Sequence, residues 1–191
     1  MDTRTVTAEV VTAPQHKYFP PCSMKVFLAG GIQRCIKWQE MVIDFFTKME
    51  TDLNYTYKHL YFLNPRRADW LDKPGEDVRQ IEWEFDMIER CDLFTMYFAG
   101  GDSDQPICMY ELGRNIEKMK QKFPDDWTER IIITCDASYK RLKDVLVQTR
   151  LATDDKVTVQ VVDDPNKSVL DHCRKIKENL MNLYCPIYCE L

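Results

Sequence analysis

Glycine is scarce, with six in 191 residues. None of the six builds a Gly-x-Gly-x-x-Gly turn or leads into Gly-Lys-Ser/Thr, which argues against a Rossmann dinucleotide site and against a P-loop. Histidine is scarcer still, at His16, His59 and His172. The eight cysteines are scattered, with no Cys-x-x-Cys pair. A zinc site therefore fails on ligand spacing, and no metal is expected. No apolar run approaches the roughly 20 residues that span a bilayer. There is no block of Lys and Arg, and the net charge is −5. A mildly acidic chain of this kind is a poor ligand for nucleic acid or an anionic membrane. The first twenty residues lack the apolar core of a signal peptide, so the expectation is a cytoplasmic protein with reduced thiols.

What is present is an ordinary globular mixture, 45% hydrophobic and 30% charged. That length can bury one substantial core without disulfide support. Residues 1–22 carry no periodicity and end in Tyr18-Phe19-Pro20-Pro21, which reads as an irregular N-terminal arm before a domain over 23–191. Lys25 to Ala29 reads as a short buried strand closed by Gly30-Gly31. Trp38, Met41, Val42, Phe45, Phe46 and Met49 then recur at helical spacing. His59 to Leu63 is a second strand closed by Asn64-Pro65. Asp77 to Arg90 is a helix with Ile81, Phe85 and Ile88 expected inward. Leu93 to Phe98 is a third strand. Pro106 opens a helix that runs through Leu112, Ile116, Met119 and Phe123. Ile131 to Ile133 and Val157 to Val162 are two more strands. A last helix over Ser168 to Tyr184 turns Val169, Cys173, Ile176, Leu180 and Leu183 inward.

Strand and helix alternate, the signature of an α/β domain with a mostly parallel sheet, here of five strands, between two helical layers. Such sheets bind ligands beyond the carboxyl ends of their strands. Four features fall there. Gly30 and Gly31 serve either a tight turn or close approach of a ligand to the backbone. Asn64-Pro65-Arg66-Arg67-Ala68-Asp69-Trp70 is either a solvated charged loop anchored by Trp70 or a donor-rich aromatic cradle for a heterocycle. Glu84 flanks the inward arc of its helix, where a carboxylate snorkels outward, pairs with an arginine or does chemistry. Glu111 sits in the first turns of the helix that opens at Pro106, where the helix N-terminus favours its ionised form. Gly113 follows inside that helix, which implies that a packed neighbour or a ligand needs the space. Two carboxylates in unlike surroundings at one edge are the parts of a glycosyl-transfer site.

The ordered set Lys25-Val26-Phe27-Leu28-Ala29-Gly30-Gly31, Asn64 to Trp70, Glu82-Trp83-Glu84, Cys91-Asp92 and Pro106-Ile107-Cys108-Met109-Tyr110-Glu111-Leu112-Gly113 resembles the nucleoside 2-deoxyribosyltransferase family, in its branch with Asn-Pro-Arg-Arg-x-Asp-Trp. The resemblance covers about residues 24–165. It implies a flavodoxin-like fold, no cofactor, and a homodimer or larger homo-oligomer acting on a deoxynucleoside and a free nucleobase. It implies Glu111 as the nucleophile at C1′ and Glu84 as the acid/base. Phe27, Gly30, Gly31, Asn64, Arg67, Asp69, Trp70 and Gln105 are the implied substrate contacts. Phe27 stands where family members often have Tyr, so the hydroxyl that orients the nucleophile comes from Tyr110 or Tyr97 or is absent. Related nucleotide N-hydrolases carry Ser and Arg where this chain has Gly31 and Gln33, with Arg34 nearby, which favours nucleosides over nucleotides. The rivals are an N-glycosidase, with water as acceptor, and a catalytically idle nucleotide-binding sensor.

Overall fold

The structure, a computed structural model, describes residues 8–48, 58–68 and 73–183. Strands β1 (Ala8–Thr12), β2 (Ser23–Gly30), β3 (His59–Asn64), β4 (Leu93–Phe98), β5 (Ile131–Asp136) and β6 (Val159–Val162) form one sheet in the order β1-β3-β2-β4-β5-β6, and every pairing is parallel. Helices α1 (Trp38–Lys48), α2 (Glu76–Arg90), α3 (Pro106–Lys122), α4 (Leu142–Thr153) and α5 (Pro165–Asn182) cover its faces. From β2 onward this is the flavodoxin-like order, and it reverses between β2 and β4.

Side chains alternate along the central strands, as a pleat requires. Phe27, Phe94, Met96 and Phe98 pack with Trp83, Met87, Leu112 and Ile116 of α2 and α3. Val26, Leu28, Leu93 and Tyr97 pack on the other face with Trp38, Val42, Ile176 and Leu180 of α1 and α5. Both faces of the sheet are covered, so the strands read as continuous apolar runs.

Three expectations need correction. Among the described residues the sheet has six strands, not five, because Ala8–Thr12 of the supposedly irregular arm pairs with β3 along Ala8↔Leu60 to Thr12↔Asn64. As an edge strand it buries one valine, Val11, and leaves Val10 37% exposed, too little burial to print a pattern. On α2 the buried residues are Gln80, Trp83, Met87 and Ile88. Ile81 and Phe85, expected inward, are 63% and 55% exposed, because a cavity and not a strand lies beneath them. Cys22 is disulfide-bonded, against the expectation of thiols throughout; Cys35, Cys91, Cys108, Cys135 and Cys173 are free. Among the described residues no helix is long and apolar enough to cross a membrane.

Candidate active site

At the reversal point between β2 and β4 the carboxyl ends of the strands open into a cavity of about 710 Å³. Its floor is the end of β2, with Phe27, Ala29 and Gly30, and Gly31 just beyond it. One wall is α2 with Ile81, Glu84 and Phe85. The other is the start of α3 with Ile107, Cys108 and Glu111. Of the ten residues implicated from sequence, Phe27, Gly30, Gly31, Glu84, Gln105 and Glu111 line this cavity. Asp69 and Trp70 lie outside the described residues. Asn64 and Arg67 are not brought into it: the Asn64 side chain accepts a hydrogen bond from the Arg66 backbone N–H at 3.0 Å, and Arg67 pairs with Glu76 at 2.9 Å, tying the loop after β3 to the start of α2.

The backbone at the floor is held tightly. Gly30 has φ of +146°, and a Cβ there would stand 2.3 Å from the Tyr97 carbonyl oxygen, so only glycine fits. The Gly31 carbonyl accepts from Trp38 Nε1 at 3.0 Å, Gln39 Nε2 at 3.4 Å and Arg66 Nη2 at 3.4 Å. Arg66 also donates through Nε to Gln39 Oε1 at 2.9 Å. The loops after β2 and β3 thus form one hydrogen-bonded unit. Gln105 packs its amide against Gly31, donates to the Ala99 carbonyl at 2.8 Å, and takes a left-handed backbone conformation, φ 48°, at the start of α3.

The two carboxylates differ in their surroundings. Glu84 accepts a hydrogen bond from Gln80 Nε2 at 2.7 Å, and Gln80 also donates to the Pro65 carbonyl at 2.7 Å. Burial raises the Glu84 pKa, and the Gln80 hydrogen bond opposes the rise. Glu111 is pushed further, to about 8, by burial first and then by the charge of Glu84, against a smaller pull from Arg114. Cys108, one helical turn before Glu111, has its thiol pushed up by burial and by the charges of both glutamates. Among the described residues neither glutamate forms an ion pair, and none donates a hydrogen bond to the Glu111 carboxyl. Arg114, the cation on the cavity wall beside Glu111, is engaged with Glu89 at 2.5 Å. The helix N-terminus, expected to hold Glu111 ionised, is outweighed by desolvation.

Neither tyrosine reaches Glu111 from the floor. Phe27 is an unsubstituted ring stacked on Phe94 and tilted against Trp83, with centroids 6.3 Å from each. Tyr97 points to the opposite face and donates to Asp136 Oδ1 at 2.6 Å. Tyr110 stands at the rim, 69% exposed. Sequence reasoning missed Gln80, whose only signal is its i,i+4 spacing from Glu84, and the joint role of Arg66 and Gln39, which lie 27 residues apart.

An open parallel sheet with two partly buried carboxyl groups in a cavity at its reversal point is the setting in which α/β proteins bind small molecules. Residues 23–123, more than half of the chain, match the family described as nucleoside 2-deoxyribosyltransferase like. The chain belongs to that family, whose name denotes a glycosyl-transferring type of enzyme. No curated protein matches the chain.

Proposed function

We propose that the protein transfers 2-deoxyribose between nucleobases through a covalent glycosyl-enzyme on Glu111. The observation that carries this reading is the shared cavity of Glu84 and Glu111, in which Glu84's charge helps to push Glu111 up to about 8. Near neutral pH such a pair holds one proton and one negative charge between them. Glycosyl transfer needs that state: one carboxylate to attack C1′, and one proton for the departing base nitrogen. As positive charge develops on the sugar in the oxocarbenium-like transition state, it favours ionisation of the attacking carboxyl. Glu111 forms the bond to C1′, the base leaves with the proton, and Glu84 takes a proton from the incoming base as that base attacks C1′ and frees Glu111. Phe27, Gly30, Gly31 and Gln105 shape the substrate pocket. Asp69 and Trp70 are further proposed contacts, and no cofactor is required.

The raised Glu111 pKa and the absence of a hydroxyl at Phe27 also support a catalytically idle reading, a nucleotide-binding sensor. Water in place of the second base would make the protein an N-glycosidase. We further propose that a second copy of the chain covers Ile81, Phe85, Ile107 and Tyr110 at the rim, each more than half exposed, as apolar rims of this kind favour.

The test incubates the protein with 2′-deoxynucleosides, with and without a second free base, and resolves the products by chromatography. Base exchange supports transfer. Free 2-deoxyribose alone supports hydrolysis, and binding without turnover supports sensing. Exchange that persists in Glu111→Gln at the wild-type rate sinks the mechanism.

A further inference from the structure

On the far side of α3 from Glu111 a second cavity of about 440 Å³ opens between α3 and α4, with Tyr110 standing between it and the first. Met109, Leu112, Ile116 and Ala152 give it apolar walls, and Gly113 and Thr149 complete the groove. That volume lies within the ~300–1,000 Å³ range of small-molecule sites.

Two independent features mark it. Glycine is the poorest helix former after proline, and Gly113 lies mid-helix with no atom beyond its chain neighbours and the surrounding helix backbone within 4 Å of where its Cβ would stand. Close packing does not account for it; the missing side chain holds the groove open down to the α3 backbone. Thr149 is 1% exposed, and its hydroxyl, buried in the same wall, has no hydrogen-bond partner. A mid-helix threonine ordinarily bonds back to the carbonyl four residues earlier, and an unpaired buried hydroxyl is destabilising.

We infer that the groove between α3 and α4 is a second ligand site, for a small neutral planar molecule that offers one hydrogen-bonding group to Thr149. The backbone floor at Gly113 suits a flat ring. The charged residues at the mouth, Arg141 and Asp144, pair with each other at 3.4 Å, so the site presents no net charge and selects a neutral occupant. The hydroxyl of Thr149 both donates and accepts, so a phenol-like O–H or a ring N–H would satisfy it.

The probes are phenol and toluene, which share shape and differ in one hydroxyl. Binding is followed by NMR at the methyl groups of Met109, Leu112 and Ile116, with Ile81 and Ile107 reporting on the other cavity. The expected result is saturable shifts at the first three, with phenol binding about fivefold or more tighter than toluene, the value of one hydrogen bond. Thr149→Val keeps the shape, removes an unpaired hydroxyl without harm to the fold, and should abolish the preference for phenol. Gly113→Leu fills the groove and should abolish both. Gly113→Ala should raise the melting temperature, showing that the position tolerates a side chain, and should weaken both probes. No shifts at Met109, Leu112 and Ile116, or a phenol preference that survives Thr149→Val, overturns the inference. Because sugar transfer is not read, failure here leaves the proposed activity standing, and failure of that activity leaves this site standing.

Discussion

At the amino end of β4, Asp92 is 4% exposed. Its carboxylate meets Lys25 Nζ at 2.5 Å and Lys122 Nζ at 3.8 Å, and it accepts the Lys25 backbone N–H at 3.1 Å. At the carboxyl end of the same strand layer, Glu84 has one neutral donor and Glu111 has none. Both ends bury acids between β2 and the helices beside it. The amino end surrounds its acid with cations, which locks β2 to β4. At the carboxyl end neither acid forms an ion pair among the described residues, and burial raises both carboxyls, at a cost in stability. A buried acid with two cations serves the fold, and a buried acid without one is a place to look for chemistry.

The sharpest way to break this contrast is to neutralise one acid at each end. Glu111→Gln should lower base exchange by about three orders of magnitude or more, the scale of losing a covalent nucleophile. Its melting temperature at pH 7 should equal or exceed that of the wild type, because no cation loses a partner. Product chromatography and a thermal melt together decide it. A large drop in melting temperature would place Glu111 with Asp92, as a structural acid.

Asp92→Ala should do the reverse. Removing one partner of a buried pair strands the other charge and costs about 3 kcal/mol. A urea titration should show the loss, while exchange per folded molecule stays near the wild-type rate. If stability is unchanged, the pairing with Lys25 and Lys122 is not what holds β2 to β4.

pH sharpens the comparison. Glu111 rises from an ordinary 4.5 to about 8. Below pH 4.5 it is protonated folded or unfolded and contributes no slope. Between about 4.5 and 8 the unfolded chain releases the proton and the folded chain keeps it, so stability falls as pH rises, and the fall ends above about 8. Glu111→Gln should flatten that decline. In kcat/KM, which reports the free enzyme, activity should fall through about pH 8 as the pair loses the one proton it holds. Glu84→Gln removes the second cause of the shift, so the Glu111 carboxyl, followed by NMR, should titrate at lower pH than in the wild type, though not at 4.5, since burial remains. A titration that stays put would show that the two carboxyls do not sense each other.

The smallest effect is expected at Gln80. Gln80→Met keeps the volume and removes the hydrogen bonds to Glu84 and to the Pro65 carbonyl, so the Glu84 carboxyl should rise further. Turnover should fall about fivefold, the value of roughly 1 kcal/mol, and the freed Pro65 carbonyl should lower the melting temperature slightly. A change confined to KM would assign Gln80 to substrate binding.

Spacing along the chain was enough to give the α/β class, the buried strands from β2 to β6 and the inward faces of α3 and α5, because apolar residues at fixed periods can be buried only one way. It also put Glu84 and Glu111 at the carboxyl edge, since a helix before and a helix after β4 must both present an end there. It could not give β1, where a single buried valine leaves no period, or α4, whose buried positions are Val145, Thr149 and Thr153, two of them polar. Ile81 and Phe85 read as core because hydropathy does not distinguish a residue packed on a strand from one facing a cavity. Whether Asn64 and Arg67 fold into the site or brace the loop, how far burial raises Glu111, and whether Gly113 opens onto packed atoms or empty space depend on which distant segments meet. Those contacts, between residues far apart in the chain, exist only once the sheet has brought the helices together.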